Sequence, residues 1–154
     1  MNAPAKRRPK RRPRHIEQME DYVRLVCSLV SLADWTVTVL DEEPDDDGLD
    51  SDIWASVACD EGVHASFRFN RRLFTEPPEK IRAVVAHECG HMMTHRLDLI
   101  TAQIRAALEP PAAEAIAQAM ADEEEHIVER IAQLVAPHLP LPPKFTPPRR
   151  RGAR

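Results

Sequence analysis

Apolar residues in the first third of the chain follow two different periods. From Ile16 they recur at i, i+3, i+4 and i+7 spacing, which predicts an amphipathic helix with one apolar face. The positions on that face are Ile16, Met19, Val23, Val26, Cys27 and Val30. Cys27 therefore belongs to the core-facing side, and we expect it to be a packed side chain. Residues 35–40 (WTVTVL) then alternate β-branched positions, which is typical of a strand.

Two further short strands are predicted around a turn. Residues 53–59 and 63–70 flank Asp60-Glu61-Gly62, a turn signal typical of a β-hairpin. In the second arm, apolar and polar residues alternate, so one face is predicted to be buried. With the strand at 35–40, these arms predict a small three-stranded antiparallel sheet. The intervening acidic segment 41–52 lacks the ligand pattern of a calcium loop, so we interpret it as a solvated loop.

The second half of the chain predicts two helices. Pro77 and Pro78 are placed to begin the first, where a missing N–H costs nothing. Glu109-Pro110-Pro111 interrupts the apolar pattern, and a second helix is predicted over residues 112–136. The order α-β-β-β-α-α indicates an α+β fold, with a helix at its N-terminus and a glutamate-bearing helix at its C-terminal end.

Charge divides the chain into a body and two ends. Residues 1–14 and 139–154 are basic and Pro-rich with no acidic residue, whereas the body between them is strongly acidic. We therefore predict a disordered basic tail over 1–14, one domain over 15–138, and a disordered Pro/Arg-rich tail over 139–154. Such tails can contact nucleic acid non-specifically through phosphates. No aromatic residue interleaves the arginines of the N-terminal tail, which favours a simply solvated arm.

Cysteine usage and hydropathy indicate the cellular compartment in which the protein is expected. Cys27, Cys59 and Cys89 are an odd number without C-x-x-C spacing, so a disulfide framework is not expected. A reducing cytoplasm is the expected environment. No run approaches the roughly 20 apolar residues that span a bilayer, and the basic N-terminus lacks the apolar run of a secretory signal. We expect a cytoplasmic protein that does not contact membranes.

The motif that carries chemistry is His87-Glu88-Cys89-Gly90-His91, an H-E-x-x-H sequence inside the first predicted C-terminal helix. Two imidazoles four residues apart are rotated by about 40° and can converge on one zinc ion. Glu88 projects about 100° from His87, beside the metal, where a carboxylate can act as general base. Gly90 costs about 1 kcal/mol against alanine in a helix, which predicts close packing of another element there.

A catalytic zinc site needs a third protein ligand, and the last helix is its best source. Glu124 falls near the middle of the apolar stripe of that helix, and a buried carboxylate needs a partner or a metal. We therefore predict Glu124 as the third ligand, with Glu125 and Glu123 as competitors and Glu129 on the far side. A solvated acidic patch is the alternative. The stripe consists of Ala117, Met120, Ile127, Val128, Ile131 and Val135.

Two positions after the motif limit the class of metal site. His95 lies about 12 Å along the helix axis from His87, too far to share the same ion, so we expect a packing role or a role in supporting the site. Leu97 stands where the extended metzincin pattern requires its third histidine, which excludes that class.

The H-E-x-G-H core, His95 four residues later, and the glutamate-rich helix around Glu124 resemble the gluzincins, the zincin class with H-E-x-x-H plus Glu. More narrowly, residues 16–136 resemble ImmA/IrrE-type and small phage-encoded metallopeptidases. The resemblance implies a zincin-like fold, zinc bound by His87, His91 and a late-helix glutamate, and Glu88 as catalytic base. It also implies a peptide substrate along the exposed sheet edge, by strand addition.

The sequence thus predicts a zinc-dependent metallopeptidase acting on a protein or peptide substrate. One alternative is a catalytically inactive zinc-binding regulatory protein that contacts nucleic acid or a protein partner through its basic tails. Another is a metal-free helical interaction module. A peptidase also needs a donor for the oxyanion of the tetrahedral intermediate, and four candidates remain open. They are His64, Arg68, His126 and Tyr22.

Overall fold

The computed structural model of the chain describes residues 12–44, 53–60 and 62–146. Most of the two predicted tails, residues 1–11 and 147–154, lies outside these ranges, as does the 45–52 part of the acidic loop. Within the described ranges the chain forms three helices and a three-stranded sheet, an α+β fold. None of these helices is long and apolar enough to cross a membrane.

The first helix, α1 (Arg14–Leu29), begins directly after Pro13. Its buried face contains most of the apolar positions predicted from the sequence, and Cys27 is 2% exposed on that face. Glu20 is also buried; it binds Arg12 at 2.6 Å, Arg24 at 2.7 Å and the backbone N–H of Val39 at 2.9 Å. Arg12, just before α1, is therefore held against the folded part of the chain.

The sheet contains β1 (Thr36–Val39), β2 (Ala55–Cys59) and β3 (His64–Phe69), in the spatial order β1-β3-β2. β2 and β3 pair antiparallel as the predicted hairpin, whereas β1 and β3 pair parallel. The sheet is therefore mixed, and the prediction of an antiparallel sheet was wrong for β1. β2 runs opposite to β1, and the hairpin turn reverses the chain again, so β3 runs parallel to β1. β3 has the most apolar face of the three strands and lies at the centre of the sheet, between β1 and β2.

Two long helices complete the fold, α2 (Pro78–Ala107) and α3 (Pro110–Val135). α2 begins with proline, as predicted. α3 also begins with proline, two residues before the predicted start at residue 112. A short 3-10 helix over Arg71–Thr75 connects β3 to α2. The core lies between α1, the sheet and the N-terminal half of α2. Its largest fully buried side chains are Phe67, Met19, Leu73, Val23, Val26, Val37, Val39 and Val85.

After α3 the chain returns to α1. A 3-10 turn over Ala136–His138 is followed by an extended segment, residues 139–146, which packs on the fold. The hydroxyl of Tyr22 donates to the carbonyl of Pro140 at 2.8 Å. Phe145 is 7% exposed and contacts the ring of Phe74 edge-on. Apolar side chains in this Pro-rich segment are therefore buried against α1 and its neighbours.

Candidate metal centre

The site lies where α2 and α3 pack closely against each other. A Cβ built on Gly90 would lie 2.9 Å from Cγ1 of Val128, and Val128 is fully buried. Only a residue without a side chain lets the two helices approach this closely. The prediction that Gly90 allows another element to pack against α2 is confirmed.

His87 and His91 lie one turn apart on the side of α2 that faces α3. Their Nε2 atoms are 3.2 Å apart, and their rings meet edge-to-face with centroids 5.0 Å apart. Both side chains are about one-quarter exposed, so each keeps contact with solvent while its ring is held by the helix pair. The two rings therefore direct nitrogen atoms at a common point, as the spacing predicts.

Glu125 of α3 brings a carboxylate to the same point. Its Oε1 lies 3.2 Å from Nε2 of His87, and its Oε2 lies 3.5 Å from Nε2 of His91. A tetrahedral zinc ion with bonds of about 2.0–2.1 Å has donor atoms about 3.3 Å apart. The Nε2–Nε2 separation and the contact of each Nε2 with its nearer Glu125 oxygen are close to this spacing. With one ligand atom taken from each residue, the three atoms lie within 4.8 Å of one another. These three residues could hold a metal ion, and imidazole and carboxylate are among the ligands that zinc accepts.

Glu124, predicted as the third ligand, lies on the other side of His91. Its side chain is 14% exposed against 60% for Glu125, so it is buried as the sequence suggested. However, its Oε1 accepts a hydrogen bond from Oγ1 of Thr94 at 2.6 Å and lies 3.5 Å from Nδ1 of His91. Glu124 is therefore placed to support the His91 ring, and the geometry favours Glu125 as the ligand. Glu123 is exposed.

Glu129 also contacts the site, although the sequence placed it on the far side of the helix. Its Oε2 lies 3.4 Å from Nδ1 of His87. The two imidazoles thus each have a carboxylate near the nitrogen that faces away from the common point. A carboxylate in that position fixes the orientation of a ligating ring.

The glutamates differ from their predicted positions because only part of the apolar stripe of α3 is buried. The helix packs mainly against α2, and its buried residues near the site are Val128 and Ala132. At 100° per residue, the mean direction of Val128 and Ala132 around the helix axis is rotated by about 70° from the centre of the predicted stripe. The Glu125 side chain points about 40° from that mean direction, and Glu129 lies on the same side of the helix as Glu125. The spacing of these two glutamates, four residues apart, was the signal that could have identified both.

Glu88 is a buried carboxylate on the same turn of α2 as the two histidines. It is 6% exposed. Burial, followed by the negative charge of Glu125, raises the pKa of Glu88 to about 8. Both effects disfavour the charged form of the carboxyl group, as expected for an acid in an apolar site beside a like charge. A buried, perturbed carboxylate next to a donor cluster has the properties of a general acid–base group.

A cavity of about 680 Å³ opens beside these residues and lies between β2, α2 and α3. His87, Glu88, Glu125 and Glu129 line one part of it. The remainder of the wall is mainly apolar and includes the residues just before and at the start of β2. These further lining residues include Ile53, Trp54, Ala55, Ala83, Val84, Ala132 and Ala136. The cavity is large enough for a side chain and the backbone of a bound peptide.

His95 and the four oxyanion candidates lie elsewhere. The Nε2 atom of His95 is 3.0 Å from the carbonyl oxygen of Asp60, and its ring meets Trp35 edge-on, so it joins α2 to the hairpin. Tyr22 bonds the C-terminal segment, and burial raises its pKa to about 12. Tyr22 and the other candidates, His64, Arg68 and His126, are not among the described residues that line the cavity.

Comparison with known proteins adds no relative. No protein-family model, no curated protein and no solved structure matches this chain.

Proposed function

We propose that the chain is a zinc-dependent metallopeptidase in which His87, His91 and Glu125 hold the metal and Glu88 acts as the general base. The observation that carries this proposal is a cluster of donor atoms beside a buried glutamate on a cavity wall. The two imidazole Nε2 atoms are 3.2 Å apart, and the two oxygens of Glu125 lie 3.2 Å from the first and 3.5 Å from the second. Glu125 replaces Glu124 in this proposal because its carboxylate oxygens lie 3.2 and 3.5 Å from the Nε2 atoms of His87 and His91. The resemblance to gluzincins supports the same ligand types.

Each side chain of the site has a separate role in the proposed hydrolysis. A zinc ion in this donor set would lower the pKa of a coordinated water to about 7 and, as a nearby positive charge, would also lower the pKa of Glu88. The Glu88 carboxylate accepts a proton from the attacking water and later donates it to the leaving amine. Glu129 and Glu124 hold the His87 and His91 rings through their Nδ1 atoms.

The fold offers a place for an extended peptide. β2 is an edge strand of the sheet, and the residues at its start line the cavity next to His87 and Glu88. A peptide that adds to this edge forms main-chain hydrogen bonds with β2, and its side chains alternate toward the cavity. A protein or peptide substrate, bound in extended form, is therefore the substrate class that we propose.

Metal analysis of the purified full-length chain tests the ligand set. We expect about one zinc per chain, in line with a single three-residue donor set. Glu125→Gln should lose zinc affinity strongly, whereas Glu124→Gln should weaken it by roughly tenfold, the effect of removing a group that supports a ligand. Glu123→Gln, at an exposed position on the same helix, is the matched control. Equal zinc affinity in the Glu125→Gln variant and the Glu123→Gln control would remove Glu125 from the ligand set.

Activity is tested with a library of peptides from digested cell protein, in which new termini are identified by mass spectrometry. The Glu88→Gln variant should retain zinc and lose cleavage, because the amide cannot accept the proton. Cleavage that survives Glu88→Gln contradicts the mechanism. Zinc binding without any cleavage, together with nucleic-acid binding that requires residues 1–11, would instead support the regulatory alternative.

A further inference from the structure

The buried cysteines of α1 and α2 are in contact. The Sγ atoms of Cys27 and Cys89 are 3.8 Å apart, and the two residues are 2% and 1% exposed. Both are free thiols. Cys89 lies inside the H-E-x-x-H motif, between Glu88 and Gly90, so this contact joins α1 directly to the turn that carries the metal-binding histidines.

The Cys27 side of the pair borders a surface cavity of about 250 Å³. Arg24 of α1, Val37 of β1, and Leu32 and Trp35 of the segment between these elements also line it. The hydrogen bond with the Cys89 thiol lowers the pKa of the Cys27 thiol, although burial opposes the shift. Cys27 lies at the wall of a cavity, so it is the cysteine of the pair that we expect to react first with an oxidant.

We propose that Cys27 and Cys89 form an oxidation site, at which a peroxide converts the two thiols into a disulfide that loosens the metal centre. The disulfide itself is independent of the function proposed above, while its effect on the metal rests on that function.

The chemistry balances with hydrogen peroxide as the oxidant. The Cys27 thiolate attacks one peroxide oxygen, the O–O bond breaks, and the sulfur becomes a sulfenic acid while water leaves after protonation. The Cys89 sulfur then attacks the Cys27 sulfur, the S–S bond forms, and the sulfenic hydroxyl leaves as a second water with the Cys89 proton. Two thiols lose two electrons, and one peroxide becomes two waters.

The geometry connects this bond to the histidines. A disulfide needs its sulfur atoms about 2.05 Å apart, so the pair must close by roughly 1.7 Å from its present separation. Cys89 is two residues from both His87 and His91, which places it about 180° around α2 from the mean direction of the two rings. Closing the gap toward α1 therefore draws this turn of α2 away from α3. The distances from the imidazoles to Glu125 lengthen, and zinc affinity falls.

The bond is tested by treating the zinc-loaded full-length chain with hydrogen peroxide and mapping its peptides by mass spectrometry without reduction. We expect one cross-linked species that joins the peptides of Cys27 and Cys89. Cys59 lies in β2 and serves as the internal control, so the Cys59→Ser variant should form the same link. If Cys27 and Cys89 are still alkylated as free thiols after denaturation of the treated chain, or if Cys59 is the preferred partner, the proposal is overturned.

The effect on the metal is measured by competition with a coloured chelator before and after oxidation. Zinc affinity of the wild-type chain should fall roughly tenfold or more, the scale of changes in groups that support metal ligands, and a thiol reductant should restore it. Cys27→Ala keeps Cys89 and the motif intact, and its zinc affinity should not change on oxidation. Cys27→Ser, which is closer in size to cysteine, shows whether the result for Cys27→Ala comes from a loss of core packing. Unchanged zinc affinity in the cross-linked chain overturns the coupling. A reduced chain that binds no zinc contradicts the proposed function instead, and the peptide map still decides whether the disulfide forms.

Discussion

The close approach of α2 and α3 at Gly90 predicts the cost of a single methyl group. In Gly90→Ala the new Cβ would lie 2.9 Å from Cγ1 of Val128 and 3.5 Å from its Cα. A valine on a helix is held in essentially one rotamer, so its side chain cannot turn away cheaply. The helices must instead move apart, and overpacking of this kind costs about 1–3 kcal/mol. Alanine also stabilises a helix by about 1 kcal/mol relative to glycine.

The net effect is expected to be a destabilisation of up to about 2 kcal/mol, the difference between these two contributions. The assay is unfolding in guanidinium chloride with a chelator present, so that metal binding does not contribute to the midpoint. Ala102→Gly, at an exposed position of the same helix, measures the contribution of helix propensity separately. Zinc affinity should also fall in Gly90→Ala, because Glu125 moves away with α3.

A double-mutant cycle with Val128→Ala isolates the contact. Val128→Ala alone should destabilise the chain by emptying a buried site. In the double variant, however, Cγ1 of Val128 is absent, so the Cβ at position 90 no longer meets it. We therefore expect a favourable coupling free energy of about 1 kcal/mol or more and partial recovery of zinc affinity. Additive effects, or a Gly90→Ala chain that is more stable by the full helix-propensity difference, would refute the argument that this contact sets the helix spacing.

Three other changes have effects whose sign follows from burial. The pKa of Glu88 is raised to about 8 in the metal-free fold, so the free energy of unfolding should fall as the pH rises from 4.5 to 8. With a chelator present, Glu88→Gln should remove a loss on the order of 4 kcal/mol by pH 8; parallel pH profiles of unfolding for the two chains would contradict this. The pKa of Glu20 is lowered: burial opposes the shift, but Arg12, the Val39 N–H and Arg24 outweigh it. Its stabilisation is therefore present above its usual pKa and lost as the pH falls through the folded value. Glu20→Gln should cost about 2 kcal/mol at pH 7 in a denaturant titration, against little change for the exposed Glu17→Gln, and equal midpoints would argue against stabilisation by the Glu20 carboxylate. Phe145→Ala should lower stability by about 3 kcal/mol in the same assay, and a neutral result would mean that the C-terminal segment does not stabilise the fold.

Local patterns predicted much of the fold because they express local physics. The apolar period from Ile16, the alternation around Phe67 and the prolines before α2 each specify one element without reference to the others. The neighbour of β1 was not predictable in this way. The hairpin of β2 and β3 has two free edges. Which of them β1 pairs with depends on how the formed hairpin packs in the core. The burial of Phe145 likewise depends on α1 and Phe74, which are distant in sequence.

The sequence by itself determined that two histidines and a glutamate share one helical turn, because the 3.6-residue period fixes their directions once a helix forms. It also determined that something must pack at Gly90. Only the tertiary structure decided which glutamate of α3 faces those histidines. The rotation of a helix about its own axis is set by the side chains it buries against its neighbour, here Val128 against Gly90 and Ala132 nearby. That rotation brings Glu125 to the imidazoles and turns Glu124 to Thr94.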